Sequence, residues 1–99
     1  MDIPIMVMIL VNGDKLIGKF ERLSDDYTIP KDSFVLKEIL SNTGFQIIPL
    51  PFVQTTDKTV RLKKECVMVE PYNPTEELKT MFMKLTSNLL IPRVNQLVK

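Results

Sequence analysis

Four kinds of side chain in this sequence could do chemistry. Asp25 and Asp26 are adjacent carboxylates, Cys66 is the single thiol, Lys31, Arg61, Lys63 and Lys64 are cations able to meet phosphate, and Tyr27 is the aromatic in a polar stretch, residues 24–33. A carboxylate pair does acid–base work when neighbours split its pKa values, and a thiol attacks when a base or cation makes it a thiolate. The chain has no histidine to activate Cys66 and no second cysteine. No carboxylate spacing matches a ligand motif, so zinc or transition-metal binding lacks its parts. Adjacent aspartates following Ser24 are ordinary turn formers. The sequence therefore reads as non-catalytic, with no cofactor and no small-molecule substrate.

The cations point elsewhere. A formal net charge of +1 excludes a protein that coats a polyanion with its whole surface, so any nucleic-acid site is local. Lys31, Asp32 and Ser33 belong to the polar stretch, which Pro30 and the paired aspartates mark as a long connecting loop. Arg61 falls near the end of a short expected strand, and Lys63 and Lys64 follow it. A closed ring would repeat these few charges around one opening and give high local density at near-zero net charge. Tyr27 in the loop offers a face for a stacked base, a contact worth about 1–3 kcal/mol. The plainer alternatives are solvated lysines neutralised by Asp32, Asp57 and Glu65, and a tyrosine packed over one end of the domain.

The elements that position these residues follow from periodicity. A chain of 99 residues is the size of one domain with one modest core, and self-association would add stability. Residues 6–11 are β-branched and apolar, followed by Asn12-Gly13, the pair that suits a two-residue hairpin turn. From Lys15 to Leu23 polar and apolar residues alternate, placing Leu16, Gly18, Phe20 and Arg22 on one face, with Gly18 a place to bend. Residues 34–40 return to strand and residues 41–44 turn again. Residues 45–53 carry Pro49 and Pro51, which confine that strand to an edge or a bend. After a polar turn over residues 54–58, short strands are expected at residues 59–62 and 66–70, with Cys66 buried and inert.

The last third changes period. Asn73, Pro74 and Glu76 read as an N-cap, a first-turn proline and the glutamate of a capping box, and Leu78, Met81, Phe82, Leu85 and Leu89 recur at helical spacing. The expected division is a β domain over residues 1–72, a packed amphipathic helix over residues 73–91 and a loose tail over residues 92–99. No apolar run approaches the roughly 20 residues that span a bilayer. With a single cysteine and no signal-like start, the expected location is cytoplasmic, away from membranes.

Residues 7–40 resemble the first motif of the Sm and Sm-like family, where strand, turn, glycine-bearing strand, loop and strand follow in order. Leu10-Val11-Asn12-Gly13 matches its Leu-x-x-Gly turn, Gly18 stands where the family has a second glycine, and Phe20 and Leu23 take its apolar places. Leu62-Lys63-Lys64-Glu65-Cys66-Val67-Met68-Val69 matches the second motif more loosely, with Lys63 in the arginine's place and Lys64 in the glycine's. In the family an asparagine in the loop hydrogen-bonds a base while an aromatic stacks on it. Here the loop is longer, Asp32 or Ser33 takes the asparagine's position, and Tyr27 is the aromatic, so the family's uridine specificity does not carry over. The family's helix precedes its barrel, whereas this one follows.

The resemblance implies a mainly β fold: a small five-stranded, strongly bent SH3-like barrel of Sm type with a C-terminal α-helix. It implies a closed homo-oligomeric ring that binds single-stranded RNA or DNA and serves RNA or DNA processing. The binding rim would combine Tyr27, Lys31, Asp32 and Ser33 with Arg61, Lys63 and Lys64. A protein-interaction or structural ring module that has lost nucleic-acid binding stays open beside it.

Overall fold

In the computed structural model residues 3–52 and 57–90 are described. Their strands are β1 (Met6–Leu10), β2 (Lys15–Gly18), β3 (Glu21–Leu23), β4 (Asp26–Pro30), β5 (Phe34–Ser41), β6 (Gly44–Pro51), β7 (Thr59–Lys63) and β8 (Val67–Tyr72). A 3-10 turn, Lys64–Cys66, separates β7 from β8, and one helix, α1 (Glu76–Leu90), closes the described chain. The protein is thus mainly β, with antiparallel pairing throughout and a C-terminal helix. The strands form a five-stranded sheet in the order β6-β5-β2-β1-β8 and a three-stranded sheet in the order β3-β4-β7.

Bends carry the chain between the sheets: β2 leads into β3 across Lys19 and Phe20, and β4 into β5 across residues 31–33. Gly18 makes such a corner possible, because a Cβ there would collide with the hydroxyl of Ser33. β6 leads towards β7 through residues 53–56, which lie outside the described residues, as do the segment 54–56 of the expected polar turn and the expected tail.

Two apolar layers result. Between the sheets lie Met8, Leu10, Leu16 and Val35 from the larger one, Tyr27 and Ile29 from the smaller one, and Phe20 at the corner. On the other face of the larger sheet Val7, Ile17, Phe34 and Leu36 surround Phe82 of α1, flanked by Leu78, Met81 and Leu85. Phe82 meets Phe34 edge-on, with ring centroids 6.1 Å apart. β1 buries Val7 and Met8 on opposite faces, which is why its sequence is apolar at successive positions instead of alternating. Pro49 and Pro51 lie in β6, an edge strand, as the missing donors require.

Several expectations need correction. Residues 24–33 are not one long loop: Asp26–Pro30 is strand, and the connection is the tight turn Ser24–Asp25, closed by the Leu23–Asp26 pair. Ile29 and Tyr27 alternate inward against Asp26, Thr28 and Pro30, a period-two burial that outweighs the turn signals around it. The first hairpin turn spans Val11, Asn12 and Gly13, with Leu10 N–H donating to Asp14 O at 2.8 Å and Gly13 at a φ of 94°, a three-residue loop and not a two-residue one. Cys66 is exposed and ends the 3-10 turn. The helix begins at Glu76, and its cap is Thr75, whose hydroxyl accepts from Leu78 N–H at 3.3 Å; Asn73 stands before it. No described helix is long and apolar enough to cross a membrane.

Candidate nucleic-acid interface

The pairing of β4 with β7 decides which candidate residues meet. Asp26 lies opposite Lys63, Thr28 opposite Arg61 and Pro30 opposite Thr59. Cross-strand partners share a face, so Arg61, Lys63, Asp26 and Thr28 lie on the outer face of the small sheet, while Tyr27, Ile29, Val60 and Leu62 point inward. The 3-10 turn then brings Lys64 back beside the Ser24–Asp25 turn, where its ammonium lies 3.8 Å from Asp25. Arg61 Nε approaches Asp26 at 3.5 Å. One end of the small sheet therefore carries Arg61 and Lys63 on its outer face and Lys64 beside them, next to the Ser24–Asp25 turn and Asp26, whereas Arg22, opposite Tyr27, lies on the other face.

The other half of the expected rim is elsewhere. Lys31 and Asp32 are exposed in the turn after β4, where Lys31 N–H donates to Lys58 O at 3.0 Å. That is the opposite end of β4 from Lys63, about 13 Å along the strand at ~3.3 Å per residue. Ser33 is fully buried against Gly18, and its hydroxyl has no hydrogen-bond partner among the described residues. Tyr27 offers no free face: it is 3 % exposed in the inter-sheet core, and Arg22 covers its ring with the guanidinium 5.3 Å from the centroid. So Arg61, Lys63 and Lys64 stand together, whereas Lys31, Asp32, Ser33 and Tyr27 do not join them.

No known protein family matches the sequence, and no curated protein matches it.

Sequence reasoning missed Asp25 and Asp26 as members of the cluster. The signal was present in the alternation of Tyr27 and Ile29 with polar neighbours, which makes residues 26–30 a strand and Ser24–Asp25 a hairpin turn. Ser24 takes a φ of 58°, a left-handed conformation unusual for a residue with a side chain. The Lys64–Asp25 pair is solvent-facing on both sides, 50 % and 79 % exposed, and in the Arg61–Asp26 pair the cation is 60 % exposed while Asp26 is 21 % exposed. Such pairs contribute about 0–1 kcal/mol each. Among the described residues, Lys63 forms no ion pair and no cluster of histidine, cysteine or carboxylates is arranged to hold a metal.

Proposed function

We propose that this chain is a non-catalytic Sm-like ring subunit that binds single-stranded nucleic acid at the Ser24–Asp25 end of its small sheet, with RNA favoured by the family resemblance. The observation that carries the reading is the register of β4 on β7, which sets Arg61 and Lys63 on one face beside the Ser24–Asp25 turn that Lys64 also reaches. The order of elements lends support. A glycine turn, a strand kinked at Gly18, a hairpin, and a final strand after a 3-10 turn follow in the sequence that the two motifs lead one to expect. In this reading β7 of one copy pairs with β8 of the next, since both strands leave an edge free at the corner marked by Lys64–Cys66. Each copy then delivers its cations to a shared rim, and charge repeats where the single chain has little.

The test is a titration of a fluorescent single-stranded oligonucleotide at several salt concentrations. The expected affinity falls as salt rises, with a log–log slope of about 0.7 per phosphate neutralised. Lys63→Glu combined with Lys64→Glu abolishes binding while the assembled mass stays that of the parent. Parent-like affinity in that variant overturns the site. A protein-interaction ring is the second reading, favoured by Asp25 and Asp26, which already neutralise Lys64 and Arg61. It takes the lead if the intact protein binds no oligonucleotide at low salt.

A further inference from the structure

Beyond residues Phe34–Leu36, β5 leaves β2 and runs on paired with β6 alone, so the hairpin turning at Asn42 and Thr43 projects from the larger sheet as a two-stranded ribbon. Ion pairs from Lys15 to Glu38 and from Lys37 to Asp14 lie at its base. Past that base the chemistry changes: residues 39–48 hold no charged side chain at all. Leu40 and Phe45 face each other across the ribbon and are 70 % and 74 % exposed, with Ile47 beside them on the same face. Ribbons of two strands are marginal in water, and natural edges are guarded by charge, proline or cover. The other free edges here carry charges: Glu21 and Arg22 in β3, Arg61 and Lys63 in β7, and Glu70 in β8.

The prolines fix where the β6 edge is open. Pro49 and Pro51 lie opposite Leu36 and Phe34. Neither can donate, so the ladder to β5 runs through the alternate residues, Gly44, Gln46, Ile48 and Leu50. The outward backbone groups of β6 are then those of Phe45, Ile47, Pro49 and Pro51, and only Phe45 and Ile47 have an N–H to offer. A partner strand must satisfy these two donors and two carbonyls, bring apolar side chains, and end before Pro49.

We infer that the tip of β6 pairs with the same tip of a second copy across a two-fold axis through Gln46. In that antiparallel register Phe45 lies opposite the partner's Ile47 and Ile47 opposite the partner's Phe45, so both donors and both acceptors of each copy are met. Centring the axis on Ile47 instead would set Phe45 against a proline and lose bonds. Leu40, Phe45 and Ile47 of both copies form one apolar cluster, and an uncharged tip meets its own copy without repulsion. The contact uses neither β7 nor β8, so it is independent of ring closure. If rings form, it joins two of them, and one short ladder per subunit gains strength by repetition.

Light scattering and a crosslink test it. Ile47→Lys and, separately, Phe45→Lys halve the mass of the parent assembly while the unfolding midpoint stays within a few degrees, both sites being exposed. The ratio of two holds whether the variant is a ring or a monomer, so the variant's own mass reports on the ring and the ratio reports on this contact. In a Cys66→Ser background, Gln46→Cys forms a covalent dimer under mild oxidation, since residues on the axis face each other closely across a non-hydrogen-bonded pair. Thr43→Cys in the same background does not. Equal masses for parent and both lysine variants, or equal crosslinking at positions 43 and 46, overturn the proposal. An open-ended parent polymer also overturns it, because a two-fold contact closes.

Discussion

At the residue scale, Gly18 and Ser33 hold each other closely: of the three glycines, Gly18 alone has no room for a side chain. The missing side chain of one admits the buried hydroxyl of the other, and this contact sits where β2 bends away and β4 passes into β5. Gly18→Ala forces a methyl group into that space, and overpacking of this kind costs about 1–3 kcal/mol. Ser33→Gly removes the nearest of the obstructing atoms and leaves only the Phe20 ring edge, so in chemical denaturation the double variant should recover part of the loss. Purely additive losses would place the strain elsewhere. Gly18 was legible in the sequence as a bend, but Ser33 was not. A serine after Lys31-Asp32 reads as a turn residue, and only the three-dimensional crossing exposes it as a wall of the core. Tyr27 misleads in the same way, because three polar neighbours on its N-terminal side hide that its ring fills the space between two sheets.

At the scale of elements, most strands were legible because burial imprints a period on them. β5 and β6, the Ser41–Gly44 turn and the edge position of the prolines follow from local pattern alone. β4 did not, since a strand of five residues bordered by Asp25 and containing Pro30 offers more turn signals than apolar ones. The helix was legible in its stripe, where Phe82 and its neighbours recur, but its start was displaced. Asn73-Pro74 and Thr75 are both plausible caps by residue type, and what separates them is where the chain leaves β8. Thr75→Ala should therefore lower the thermal midpoint by the equivalent of about 1 kcal/mol, while Asn73→Ala should leave it nearly unchanged. The reverse ranking would mean that the helix starts two residues earlier, about half a turn.

Across the whole molecule, the corners between the sheets decide which charges can act together. Arg61 and Lys63 are two apart in β7 and share the outer face; Lys31 is exposed to solvent yet lies at the far end of β4. No spacing in the sequence encodes that separation, because it depends on β4 running antiparallel to β7 and not looping out. The proposed rim accordingly makes a distinction that a diffuse basic surface would not. Lys31→Glu should leave oligonucleotide affinity nearly unaltered, although it changes net charge as much as Lys63→Glu does. The acidic partners give the opposite sign. Asp25→Asn with Asp26→Asn releases Lys64 and Arg61 from carboxylates 3.8 and 3.5 Å away, and removes two negative charges beside the incoming phosphates. Affinity should rise in this variant, and the salt dependence should steepen as cations once neutralised internally begin to displace counterions. The unfolding midpoint should move little, because in each pair at least one member faces solvent and such pairs contribute little to stability. Isothermal or fluorescence titration at matched ionic strengths checks both quantities. Equal losses from Lys31→Glu and Lys63→Glu, with no gain from the asparagine pair, would mean that nucleic acid is drawn by overall charge and that no rim exists at Ser24–Asp25.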